Sequence, residues 1–221
     1  MKIYMENVML DNIVLLSEDK NFKGKKFQKL CNRSSELISK VMDVDYYDGC
    51  SAFGKTMLLT DAFVTTLRGV YQESRDIKNR ERIVSKVFSI PKDQVTGDFS
   101  TFISSDNCFP VYVSDFQYDA SVSKSRLASL KMLFGDADLR KLHDFQYLDS
   151  LNVVMGNVYT SFATNSDGLS NLEVVTGDMH FENFDKVPNL ENLSYLGGHI
   201  YVGDSVLSLD EVKSSNKEFV K

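Results

Sequence analysis

Between Gly49 and Thr56 the chain spells Gly-Cys-Ser-Ala-Phe-Gly-Lys-Thr, which fits the phosphate-cradling pattern G-x-x-x-x-G-K-[ST] letter for letter. In that pattern backbone N–H groups cradle phosphates, the lysine reaches the outer phosphates and the hydroxyl binds Mg²⁺. Gly49, Gly54, Lys55 and Thr56 are thus the residues through which this chain would bind a nucleotide. Their surroundings argue against it. A buried parallel strand should lead into such a loop, whereas residues 43–48 read Asp-Val-Asp-Tyr-Tyr-Asp. Downstream, Phe102-Ile103-Ser104-Ser105-Asp106 is a poor strand to carry a metal-binding aspartate. The plainer reading is a glycine-punctuated helix start.

A second set of polar residues recurs every 21 positions. One series is Asp136, Asn157, Asp178 and His199; the next is Asp138, Tyr159, His180 and Tyr201; a third is Arg140, Ser161, Glu182 and Gly203. Tyrosine and histidine beside acids can supply aromatic anchors and satisfied polar contacts to a protein partner. The competing reading is an ordinary solvated sheet face. Asp178, His180 and His199 could also approach one metal ion, but no cysteine or known ligand spacing accompanies them, so no metal and no cofactor is expected. No serine or cysteine can be tied to His143 or another base, so no catalytic residue is assigned.

Those polar series need a repeating framework, and the apolar residues supply it. Leu127, Leu148, Leu169 and Leu190 open each unit. Leu130, Leu151, Leu172 and Leu193 follow, then Leu133, Val154, Val175 and Leu196, then Gly135, Gly156, Gly177 and Gly198. Self-similarity at a short fixed period implies units that bury their apolar side only against their neighbours. Strand alternation makes Leu133, Gly135, Ala137 and Leu139 and their equivalents inward, and the three polar series outward. The glycines would let adjacent backbones approach closely. Weaker copies precede the clear ones: Phe109, Tyr112, Asp115, Phe116 and Tyr118 sit one period upstream, and Val95-Thr96-Gly97-Asp98-Phe99 echoes Val175–Met179 at a shorter spacing.

With Leu169-Ser-Asn-Leu172-Glu-Val-Val175-Thr-Gly177-Asp-Met-His-Phe181 and its copy from Leu190, residues 127–203 resemble the leucine-rich-repeat family, and more narrowly the receptor L-domain and its relatives. The resemblance implies a parallel β solenoid that binds a protein. After Val202 the pattern stops, and Ser208-Leu209-Asp210-Glu211 reads as the start of a short helix capping the last unit.

Upstream, apolar stripes at three-and-four spacing predict helices from Phe27 to Met42, from Leu59 to Tyr71 and from about Asp76 to Phe88, after one or two short strands within Ile3–Leu16. The fold expected is α+β, with an α-rich capping domain over residues 1–94 and a leucine-rich-repeat-like solenoid of 21-residue coils over 95–221.

Charge follows the same division. Residues 1–110 carry 16 Lys/Arg against 15 Asp/Glu, and residues 111–221 carry 9 against 16. The acidic repeat half disfavours nucleic acid and anionic membrane and suits a partner protein with a basic patch. Cys31, Cys50 and Cys108 form no C-x-x-C pair and are expected to be small buried apolar residues in a reducing compartment. No run reaches the ~18 apolar residues of a membrane span, and the first residues lack a signal-peptide pattern, so a cytoplasmic site is expected. The function expected is non-catalytic protein binding through Asp136, Asp138, Asn157, Tyr159, Asp178, His180, His199 and Tyr201. The alternatives are a nucleotide-binding loop at Gly49–Thr56 with a repeat appendage, or an assembly component that docks on copies of itself.

Overall fold

In the computed structural model, the structure describes residues 76–87, 90–161, 167–184 and 189–218. The chain divides into two units, Met1–Lys92 and Asp93–Lys221. The Gly49–Thr56 motif, Cys31, Cys50 and the first two expected helices lie outside the described residues. Of the first unit, helix α1 (Ile77–Val87) is described. It buries Ile83 and Val84, as its stripe requires, and Ser85 Oγ donates 2.7 Å to the Ile90 carbonyl beyond its end.

The described part of the second unit is an α/β fold with parallel strands in two sheets and few helices. Each 21-residue repeat contributes one very short strand to each sheet. The strands are β1 (Val95–Thr96), β2 (Val111–Tyr112), β3 (Phe116–Gln117), β4 (Met132–Leu133), β5 (Ala137–Asp138), β6 (Val153–Val154), β7 (Val158–Thr160), β8 (Val174–Val175), β9 (Met179–Phe181), β10 (Tyr195–Leu196), β11 (Ile200–Val202) and β12 (Ser205–Leu207). The first sheet runs β1-β2-β4-β6-β8-β10 and the second β12-β11-β9-β7-β5-β3. All pairings are parallel except β11 with β12. Helices α2 (Phe99–Ser104) and α3 (Lys124–Ser129) lie between early strands, and α4 (Leu209–Glu218) ends the unit.

Register follows the repeat. Leu133 pairs with Val154 and Val154 with Val175 in the first sheet, while Ala137 pairs with Val158 and Val158 with Met179 in the second. The weaker copies belong to the same ladders: Val111 pairs with Met132, Phe116 with Ala137, and the short-spaced Val95 with Val111. One expectation is corrected. Residues 133–139 and their equivalents are not one continuous strand; the chain bends at the glycine and enters a second sheet. Residues flanking the inward position before the bend, which a single strand would turn to solvent, are buried: Met132, Phe134, Val153 and Val174 are at most 3 % exposed. Both faces of the first sheet are therefore covered along β4, β6 and β8, as in most parallel sheets.

Inside, the two opening leucines of every repeat carry the packing. Leu127, Leu130, Leu148, Leu151, Leu169, Leu172, Leu190 and Leu193 are all 2 % exposed or less and join one core with Leu133, Val154, Val175, Val158, Met179 and Ile200. Each fully buried leucine contributes about 1.5–3 kcal/mol. Aromatic rings fill the early end, where Phe102 meets Tyr112 and Phe116 edge-on at 5.3 and 5.8 Å. Burial, reinforced by Asp98 and Asp115, pushes the Tyr112 hydroxyl up to about 12.

At the late end the expected helix is present, and Val212 anchors it in the core. It does not cover the second sheet's edge, however; β12 does, antiparallel to β11. The helix starts with a reciprocal cap. Ser208 Oγ accepts from the Glu211 N–H at 3.3 Å, and the Glu211 carboxylate accepts from the Ser208 N–H at 2.7 Å. Those hydrogen bonds from the Ser208 backbone and hydroxyl hold the Glu211 carboxyl below its usual range. A carboxyl with a lowered folded pKa contributes stability above its unfolded pKa and loses it as pH falls through the folded one. Acidification through the carboxylate range should therefore speed amide exchange in α4 beyond any global change, and Glu211→Gln should flatten that pH slope. Equal slopes in the two proteins would remove this cap from the account.

Candidate functional site

The bend that splits each repeat also decides which polar side chains are available. Where the backbone turns from one sheet to the next, the amide of the residue after the glycine needs an acceptor. A side chain in the preceding repeat provides it. Asp115 Oδ1 accepts from Asp136 N at 2.9 Å, Asp136 Oδ1 from Asn157 N, Asn157 Oδ1 from Asp178 N and Asp178 Oδ1 from His199 N, the last three at 2.8 Å. In return the backbone carbonyls of Asp136, Asn157, Asp178 and His199 accept from Phe116, Ala137, Val158 and Met179. This is a structural ladder, in which Asp136, Asn157 and Asp178 serve as rungs that join repeats. His199 ends the series among the described residues. Its position need not hold an acceptor, and its side chain is exposed.

The glycines are explained by the same close approach. A Cβ on Gly177 would lie on Asn157 Oδ1, and one on Gly198 would lie on Asp178 Oδ1. A second series, not anticipated, runs along the leucine segments: Asn171 Nδ2 donates to the Asp149 carbonyl at 3.0 Å and Asn192 Nδ2 to the Ser170 carbonyl at 2.8 Å.

The outward column of the second sheet is different. Gln117, Asp138, Tyr159, His180 and Tyr201 pair rung to rung, and Val206 of β12 extends the row. Tyr159 and His180 stack at 4.9 Å between ring centroids with planes 14° apart; His180 and Tyr201 stack at 4.5 Å and 5°. Parallel strands lie about 4.8 Å apart, so the sheet itself sets the ring spacing. The stacked ring faces are turned toward each other. Each of these three residues is half-buried, and Asn157 Nδ2 donates to the Tyr159 hydroxyl at 3.2 Å. Val206 is 55 % exposed, an apolar end to the row.

Arg140 lies beside Asp138 and Tyr159 in this row. Its Nε and a terminal nitrogen donate to the two Asp138 carboxylate oxygens at 2.9 and 2.7 Å, the guanidinium lies 5.9 Å from the Tyr159 ring centre, and Glu182 is 3.9 Å away. The Arg140 hydrogen bonds hold the Asp138 carboxyl below the usual carboxylate range, and Asp138 in turn raises the guanidinium. Beside this pair an open hollow of about 370 Å³ is lined by Asp115, Phe116, Gln117, Asp136, Asp138, Arg140 and Tyr159.

Of the eight residues expected at the interface, then, Asp138, Tyr159, His180 and Tyr201 share one column, His199 approaches Tyr201 edge-on at 6.4 Å, and the other three are ladder rungs. Sequence reasoning missed Gln117 and Val206 as members of the column; the upstream copy around Phe116 carried the signal for the first. Cys108 is corrected too: it is exposed, not buried. Among the described residues no three of His, Cys, Asp and Glu converge to hold a metal ion, and no helix is long and apolar enough to cross a membrane. No family model matches the chain, and neither a curated protein nor a solved structure matches it.

Proposed function

We propose that this chain is a non-catalytic protein-interaction module, a leucine-rich-repeat-like solenoid that binds its partner on the outer face of the second sheet. The observation that carries the reading is the stack of Tyr159, His180 and Tyr201 at 4.9 and 4.5 Å on a half-exposed sheet face. Stacking fixes the three rings before a partner arrives, so little side-chain entropy remains to be lost on binding. Tyrosines held in this way are the residue type that dominates interface energetics. The resemblance of residues 127–203 to leucine-rich repeats supports the same reading, since such folds present rigid faces to proteins.

The test is affinity capture with wild type and the Tyr159→Ala/Tyr201→Ala variant, followed by a binding titration with the purified captured protein. Each ring is half-buried at the surface and outside the core, so circular dichroism should show an unchanged fold. Hot-spot tyrosines contribute about 2 kcal/mol or more each, so the double variant should bind about a thousandfold more weakly. A captured protein that binds both forms equally would sink the proposal.

A further inference from the structure

We propose that Arg140 is a positioning residue for the partner-binding row, a strap that runs from the end of β5 to the turn after β9 and holds Tyr159 in the stack; this rests on the interaction reading above. Tyr159 needs a holder because it ends the ring series on the β5 side. His180 has a tyrosine on each face, at 4.9 and 4.5 Å, whereas the residue paired with Tyr159 on β5 is Asp138, which has no ring. On a sheet two χ1 rotamers are commonly open to such a side chain, so one rotation would take the ring out of the stack. Two contacts oppose that rotation. The Asn157 amide donates to the Tyr159 hydroxyl at 3.2 Å, and the Arg140 guanidinium lies over the ring at 5.9 Å.

All three guanidinium nitrogens are engaged in that placement. Nε and Nη2 donate to the two Asp138 oxygens at 2.9 and 2.7 Å, and Nη1 lies 3.9 Å from Glu182 Oε1. Asp138 is on β5 and Glu182 follows β9, so these contacts bridge the intervening strand β7. Between Arg140 and Glu182 the same outward series has Ser161, whose short side chain leaves room for the bridge. Ser161 also fixes the far anchor. Asn183 Nδ2 donates to Ser161 Oγ at 3.2 Å, and Asn183 takes φ +57°, a left-handed backbone that asparagine tolerates, at the turn that carries Glu182. A planar fork suits this double engagement, and an ammonium would not reproduce it. Exposed ion pairs add little to stability, so the strap acts on ring position and not on the fold. A guanidinium over an exposed ring biases its rotamers about two- to fivefold.

The experiment uses the full chain with ¹³C-labelled tyrosine and histidine rings, whose NMR signals report the arrangement without any partner. The His180 ring lies between two tyrosine faces, and Tyr159→Ala gives its signal position when one of those faces is gone. Arg140→Gln should lower the stacked-to-unstacked ratio of Tyr159 about two- to fivefold, read as movement of the His180 signals part of the way toward that position. Asp138→Asn should reproduce the movement, because it removes the bidentate grip at nearly constant size. Arg140→Lys should not rescue, since it keeps the charge and loses the fork. Circular dichroism and the melting temperature should stay at wild-type values in all three variants. His180 signals unmoved in Arg140→Gln would overturn the strap and leave the row to sheet spacing alone, with the double-tyrosine binding test unaffected. Full rescue by Arg140→Lys would overturn it too, by making charge and not the fork the cause. Loss of the fold in Arg140→Gln would overturn it by placing Arg140 in the framework.

Discussion

Gly156→Val should lower the unfolding free energy by about 3 kcal/mol or more, at the upper end of what overpacking costs, because the added atoms meet backbone and not flexible side chains. A Cβ at residue 156 would sit well inside 3.0 Å of the Gly135 carbonyl and 2.7 Å from Asp136 N. Neither neighbour can move alone: Gly135 lies on Ser114, and Asp136 N is bonded to Asp115. Relief would require separating two repeats, and with them the β4–β6 and β5–β7 pairings. Gly203→Ala provides the contrast. Gly203 has φ +54°, and a methyl group there would meet nothing within 4 Å, so its substitution carries conformational strain alone, about 1 kcal/mol. Denaturant unfolding of both variants measures the difference. A loss below about 1 kcal/mol for Gly156→Val would mean the repeats are not packed backbone to backbone.

The period of 21 residues carried most of this arrangement in the sequence, and physical reasons separate what it conveyed from what it did not. Register was legible because stacking identical units leaves only one pairing in which leucines meet leucines; Leu133 on Val154 on Val175 follows from that. The column Asp138, Tyr159, His180, Tyr201 was legible for the same reason. The division into two sheets was not. Alternation runs through Leu133, Ala137 and Leu139 whether or not the chain bends at Gly135, and only the apolar identity of Met132, Phe134, Val153 and Val174 spoke against a solvated second face. That signal was present and outweighed by the inward series.

β12 was missed although its turn was written in the chain. Gly203-Asp204 between Val202 and Ser205 is a two-residue hairpin loop with glycine at its first central position, where φ is positive. The leucine pattern ended at Val202, and a strand of three residues with one apolar outward side chain has no periodicity to detect. The ladder was hidden differently. Asp, Asn and Asp at one position in successive repeats look like solvent-facing polar residues until the bend is known. Only then does the orphan amide that each must satisfy become visible, and with it the reason the fourth place tolerates His199.

Breaking one rung should show how much that ladder contributes. Asn157→Ala removes the acceptor for the Asp178 N–H, which lies in a half-buried stretch at the bend, and it also removes the donor to the Tyr159 hydroxyl. An orphaned buried donor costs about 1–3 kcal/mol, and the expected loss here is about 2 kcal/mol. Asn157→Asp keeps the acceptor oxygen in the geometry that Asp136 and Asp178 already use, so it should cost less than half as much. Hydrogen exchange at the Asp178 amide locates the effect: protection should fall in the alanine variant and persist in the aspartate one. If both variants match wild type, the side-chain rungs are ornaments on a backbone that holds itself. If the alanine variant also weakens partner binding without moving the Tyr159 ring signal, Asn157 contacts the partner directly. Retained affinity with lowered stability assigns this series to the framework, and leaves the proposed interface to Asp138, Tyr159, His180 and Tyr201.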